Sequence, residues 1–199
     1  MGPASAYDLP MATPGATQTF PDTTLIAGDL TLRPLTGADA DDIVKACQDA
    51  VILRWLPLPR PYTRANAEWF INTYGPDLRE SGAGVVFAIE EAGRLVGVID
   101  LKHAHWVTKV AEVGYWVAPW ARGRAVASGA TRVLARWAIE ENGFERVELL
   151  AATGNIASQR AAEKAGLVRE GVARNAGYVH DSRVDLVVYS MVPDDLVNH

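Results

Sequence analysis

Glu112-Val113-Gly114-Tyr115-Trp116-Val117-Ala118-Pro119-Trp120-Ala121-Arg122-Gly123-Arg124-Ala125-Val126-Ala127 is the stretch on which the fold turns. Its first part reads as a strand, with Glu112, Gly114 and Trp116 on one face and Val113, Tyr115 and Val117 on the other. Its last part opens a helix near Gly123 that runs to about Glu141. Val126, Ala130, Val133, Leu134, Trp137 and Ala138 recur there at the helical period, and Asn142-Gly143 supplies the stop. Two arginines and several small residues therefore stand where a helix begins. A helix N-terminus leaves about four N–H groups unpaired and carries partial positive charge. Small side chains let an anion approach those groups. This predicts a site for a phosphate or diphosphate, against the plainer reading of a solvated basic turn. The Gly-x-x-x-x-Gly-Lys-Ser/Thr spacing is absent, and Gly123 lacks the partner glycines of a dinucleotide fingerprint.

Upstream, Leu25–Ile26 and Leu30–Leu32 bracket a Gly28-Asp29 turn, which predicts a short hairpin. Thr36, three residues before Asp39, caps a helix carrying Ile43, Val44 and Cys47. The three prolines within Trp55–Tyr62 demand a loop. Thr63 then caps a second helix with Ala67, Phe70, Ile71 and Tyr74 on one face, kinked or ended by Pro76. Strands are expected at 85–90, 94–102 and 109–117, forming an antiparallel meander. Downstream of the long helix come a strand at 146–151, a helix at 156–165 closed by Gly166, and strands at 167–173 and 184–191. The fold class that follows is α/β, of α+β type: one mixed central sheet, a meander leading into a βαβ-type half, flanked by about four helices.

A chain of 199 residues suits one domain of ordinary size. Residues 1–24, with four prolines and no basic residue, are expected to be a flexible leader, and 25–199 the single folded domain. Met11 is a conceivable alternative start. The leader lacks the charged start and apolar stretch of a secretory signal. A net charge of −5 argues against broad nucleic-acid binding, and no apolar run is long enough to span a membrane. The lone Cys47 rules out an internal disulfide, reads as a core residue, and fits a reducing, cytoplasmic setting. His103 and His105 alternate on one strand face but lack a third ligand, so no metal is expected.

Arg122-Gly123-Arg124-Ala125-Val126-Ala127 resembles the Gln/Arg-x-x-Gly-x-Gly/Ala signature of the GNAT acyltransferases, departing from it at Ala125, where an Ala methyl is expected to fit in helical geometry. Asn155-Ile156-Ala157-Ser158 followed by Glu163-Lys164-Ala165-Gly166-Leu167 is similar to a second segment of that family. The Trp-Leu-Pro-x-Pro…Tyr-Thr loop, the Gly-Tyr-Trp-Val strand and the closing Tyr189-Ser190 resemble the ribosomal-protein N-terminal acetyltransferases and their relatives. The resemblance spans about residues 25–192.

It implies acetyl-coenzyme A (acetyl-CoA) as co-substrate and direct transfer of acetyl to a primary amine. The diphosphate is then expected on Arg122, Gly123, Arg124, Ala125, Val126, Ala127 and Ser128, chiefly on backbone N–H groups. The pantetheine arm is expected along Trp116 and Val117 and beside Asn155, which reads equally as the N-cap of its helix. Ser158, one turn on, is a candidate acid for the leaving thiolate, or else a surface serine. Glu112 is the candidate general base through a water, or else an outward carboxylate paired with an Arg. Trp55, Tyr62 and the 174–180 turn with Tyr178 are the candidate acceptor pocket. Asp181 and Asp185 would draw in a cationic acceptor or pair with Arg183.

The acceptor is expected to be a protein N-terminal α-amine, whose pKa near ~7.7–8.0 makes it easier to deprotonate than Lys near ~10.4. A small-molecule amine, such as an aminoglycoside or polyamine, is the rival within the enzyme class; an acidic, closed cleft would favour it. A non-catalytic acyl-CoA-binding module is the rival outside that class. A monomer or homodimer is expected.

Overall fold

The computed structural model describes residues 18–180 and 182–197. Most of the expected leader, Met11 included, and Asp181 lie outside these. The hairpin forms as expected: β1 (Leu25–Ala27) and β2 (Leu30–Arg33) turn at Gly28. Thr36 and Asp39 make a reciprocal capping box ahead of α1 (Ala40–Cys47), and Asp39 also anchors Arg33 at 2.8 Å. Cys47 is buried in the core, where burial pushes its thiol up to about 12.

A helix absent from the sequence reading follows, α2 (Ala50–Trp55), whose N-terminal amides of Val51 and Ile52 donate to the Asp49 carboxylate. The helix after Thr63 does not stop at Pro76. It runs α3 (Arg64–Trp69), one π turn (Phe70–Tyr74) and α4 (Gly75–Glu80). In the π turn the Gly75 N–H reaches Phe70 C=O, a widened register that accommodates the proline without ending the helix.

The meander is β3 (Val85–Glu91), β4 (Arg94–His105) and β5 (Val110–Val117). The crossover helix α5 (Val126–Glu140) leads to β6 (Arg146–Ala152), then α6 (Ile156–Ala165), β7 (Val168–Val179), β8 (Ser182–Met191) and a short unanticipated helix, α7 (Pro193–Val197). The expected turn at 174–180 is instead mostly strand, with a register irregularity between Ala173 and Gly177.

One eight-stranded sheet results, in the order β1-β2-β3-β4-β5-β6-β8-β7. Every pairing is antiparallel except β5 with β6, and that pair holds register only from Val110 to Glu112 against Arg146 to Glu148. Beyond Glu112 the two strands diverge. On one face α5 buries Val126, Ala130, Leu134, Trp137 and Ala138 against the sheet; on the other, α1 and α3 pack on Val86, Ala88 and Val98. Phe20, within the segment read as leader, is 3% exposed and stacks on Phe144 at 5.8 Å, so the packed body takes in that residue. No helix among the described residues is long and apolar enough to cross a membrane.

Candidate active site

The divergence of β5 and β6 opens a cavity of about 470 Å³, lined from both faces of the sheet. Ala118 N–H donates to Val96 C=O, and the β4–β5 register pairs Trp116 with Val98. Alternation along an antiparallel strand then spends the backbone groups of Trp116 and Gly114 on β4. The groups of Val113, Tyr115 and Val117 face the other way, where past Glu112 no strand pairs with them. A pantetheine-like chain with amides of its own can complete that edge.

At the mouth of the cavity the chain turns sharply into α5. Gly123 has φ +79° and open space around it, so its need for glycine is conformational. Ala125 has φ +59° and caps the helix in the left-handed region. This corrects the expectation that its methyl would sit in helical geometry: the position is one where glycine is favoured and alanine is strained. Ala125→Gly is expected to raise stability by roughly 0.5–1 kcal/mol, the relieved strain less the added freedom of the unfolded chain, as read by chemical denaturation. The first helical bond runs from Gly129 N–H to Ala125 C=O, which leaves the amides of Val126, Ala127 and Ser128 facing the turn. The Ser128 hydroxyl donates to Ala125 C=O at 3.0 Å.

Both flanking guanidinium groups are engaged by carboxylates. Arg122 pairs with Asp49, the N-cap of α2, and holds that carboxyl below its ordinary range. Arg124 pairs with Glu91 at 2.5 Å. The turn is thereby braced against α2 and β3, and the free donors at its centre are backbone amides.

Inside the cavity, Tyr115 Oη lies 3.0 Å from Ser158 Oγ. The Asn155 side chain caps α6 by accepting from Ser158 N–H at 3.2 Å. Across the sheet, Glu112 is 17% exposed, with Lys102 Nζ and His103 Nδ1 each 3.1 Å from one of its oxygens. Behind this group is Asp100, whose Oδ1 is buried without a hydrogen-bond partner. A Cβ on Gly114 would lie 2.5 Å from that oxygen, so only glycine leaves it room.

Burial pushes the Asp100 carboxyl up from 3.8 to about 6, against the pull of Lys102. A carboxyl raised on folding favours the fold fully below its unfolded pKa, and that contribution fades as pH climbs through the folded value. Asp100→Asn should therefore raise stability above pH 7, by up to about 3 kcal/mol, and flatten the dependence of the melting temperature on pH between about 4 and 7.

The anion-ready helix start, the unpaired strand edge and the cavity between them fit a nucleotide-linked acyl thioester, and residues 29–168 match the acetyltransferase (GNAT) domain family. The chain belongs to the GNAT acetyltransferases. It is 35% identical over 131 residues to "Putative ribosomal N-acetyltransferase YdaF" of Bacillus subtilis (strain 168), covering 64% of this chain and 72% of that one. It is 26% identical over 117 residues to the ribosomal-protein-serine acetyltransferase of Escherichia coli (strain K12), covering 59% and 65%. The solved structure of Mycobacterium smegmatis RimJ in complex with CoA-disulfide superposes with a TM-score of 0.80 over 88% of this chain and 90% of that one; at 20% identity the likeness is one of fold. This protein is an acetyl-CoA-dependent N-acetyltransferase.

The acetyltransferase cavity brings together Glu112, Trp116, Val117, Arg122, Gly123, Ala125, Val126, Ala127, Ser128, Asn155, Ser158 and Trp55. Arg124 points to Glu91 instead. Tyr62 is 6% exposed and packed with Cys47 and Ile71 in the second core, not in the cavity wall; its hydroxyl sits at the end of a ring that the core needs for volume. Tyr178 is 59% exposed on β7 beneath the Arg183 guanidinium and also stays out of the wall. Asp185 accepts the Asn175 N–H at 2.8 Å, closing the β7 irregularity. His103 and His105 share a face as expected: His105 pairs with Val110, which alternates onto the Glu112 side that His103 also reaches. A register break separates them, and His105 accepts from Thr108. Two residues that sequence reasoning passed over line the cavity, Lys102, hidden in an apolar strand, and Tyr115, read only as a strand aromatic, and Asp100 is buried behind them.

Proposed function

We propose that this acetyltransferase transfers acetyl to the α-amine of a protein N-terminus. The observation that carries the reading is the charge of the cavity wall. Among its described residues Glu112 is the one carboxylate, and it is already paired with Lys102. Such a wall accommodates a single amine and offers a polycation no acidic cluster to hold it. That weighs against polyamines and aminoglycosides as acceptors. The kinship with ribosomal-protein acetyltransferases supports the same reading.

In this reading the amides of Gly123 to Ser128 hold the donor diphosphate, and the free edge at Val117 aligns the pantetheine arm and polarises the acetyl carbonyl. Asn155 borders the arm. The acceptor enters beside Trp55 and Trp116. Glu112 takes the proton of the attacking amine, through a water. The Tyr115–Ser158 hydroxyl pair returns a proton to the leaving thiolate. No covalent enzyme intermediate is needed.

If the hydroxyls act as one relay, Ser158→Ala and Tyr115→Phe should each lower kcat by about 10²-fold with donor affinity unchanged, and the double variant should lose little more. Additive losses in a double-mutant cycle would separate the two groups. The acceptor is tested with paired peptides, one bearing a free α-amine and no Lys, the other a blocked N-terminus and an internal Lys, alongside spermidine and an aminoglycoside. Thiol release with the first peptide alone supports the reading. Faster turnover of spermidine or of the Lys peptide overturns it.

A further inference from the structure

Successive residues of a strand point to opposite faces, yet Lys102 and His103 reach the same carboxylate. The cause is a backbone irregularity. The β4–β5 register breaks between Lys102 and His105, and His103 sits at φ +51°. A non-glycine residue in the left-handed region is strained, and here the strain carries a side chain around to the Glu112 face. What it gains is a link between inside and outside: Glu112 is 17% exposed, His103 is 75% exposed, and Nδ1 lies 3.1 Å from the carboxylate.

The chemistry requires such a link. An ammonium acceptor and an acetyl thioester give an amide, a thiol and one proton. Of the two protons that nitrogen loses, one ends on sulfur and the other must leave the protein. We propose that His103 is the exit for that second proton, acting through Glu112; the inference rests on Glu112 being the base. The O–H bond of protonated Glu112 breaks as an Nδ1–H bond forms. The imidazolium then releases its Nε2 proton to water or buffer, and exchange across the exposed ring restores the starting tautomer.

The surrounding groups keep that path outward. Lys102, a fixed cation on the other Glu112 oxygen, blocks a proton from leaving on that side. Asp100 and Tyr74 lie behind Lys102. Glu148, beside Glu112 on β6, is occupied by Arg146 at 2.6 Å.

His103→Asn tests this, because asparagine tolerates a positive φ and can hydrogen-bond but cannot carry the proton. In dilute non-imidazole buffer, H103N should turn over about 10-fold more slowly than the parent, a smaller loss than the 10²–10⁴-fold typical of removing a general base. Its melting temperature and acetyl-CoA affinity should not fall. Raising imidazole at constant pH and ionic strength should restore H103N towards the parent rate and leave the parent unchanged. H103N as fast as the parent in dilute buffer overturns the exit, and so does a loss that imidazole fails to restore, which would make His103 a mere prop for Glu112. Glu112→Gln separates the two assignments. Slow in every buffer, it upholds Glu112 as base whatever H103N does; as fast as the parent, it removes the base and the exit together.

Discussion

Ala127→Glu is expected to weaken acetyl-CoA binding at least about 100-fold, or about 2.7 kcal/mol, while leaving the protein as stable as before or slightly more so. The two effects have opposite signs for one reason. Ala127 occupies the first turn of α5, where the amides of Val126, Ala127 and Ser128 have no backbone partner and the helix carries its positive end. A carboxylate there satisfies the helix, contributing about 0.3–1 kcal/mol. It also occupies the ground a diphosphate needs and repels it. Calorimetric titration with coenzyme A and a thermal melt on the same sample read both quantities. Unchanged affinity would remove the diphosphate from the α5 N-terminus. A collapse in the melting temperature would point to packing at Ala127, which the structure does not place in the buried core.

Glu112→Gln carries the second large effect. Its side chain is isosteric and can still hydrogen-bond, but it neither accepts the amine proton nor answers the Lys102 charge 3.1 Å away. At neutral pH kcat/KM for a peptide acceptor should fall by about 10²–10⁴-fold, with acetyl-CoA affinity near that of the parent. The variant should recover part of its rate as pH rises past ~8, where the free α-amine already predominates. A pH–rate profile superposable on that of the parent would return Glu112 to a purely structural pairing with Lys102.

Wherever local periodicity and capping decide the backbone, the chain could be read from its residues. The α5 stripe, the Thr36–Asp39 capping box, the Gly28 turn and the Gly166 stop all appear as expected, because each depends on neighbours within a few positions. The turn proposed to hold the donor was legible for the same reason, being one contiguous stretch. Longer-range facts were not. Helix α2 lies hidden between a capped helix and a proline-rich loop, and its N-cap Asp49 is fixed by Arg122, 73 residues away. Tyr62 looked like a pocket aromatic because a loop supplies no periodicity to mark it as core. Asp100 and Lys102 sit in a run of apolar strand residues, and their meaning depends on which residues of β5 lie opposite. Ala125 and His103 carry positive φ values that no side chain announces.

The three-residue seam between β5 and β6 has a kinetic corollary. With the donor held at the α5 turn and the acceptor entering beside Trp55 and Trp116, as proposed, the thioester and the amine reach the gap beyond it by separate doors. On that proposal neither molecule must depart before the other arrives, and both are present when the bond is made. Initial-rate plots against one reactant at fixed levels of the other should therefore converge rather than run parallel. A dead-end thioether analogue of the donor should compete with acetyl-CoA and leave the peptide's entrance free.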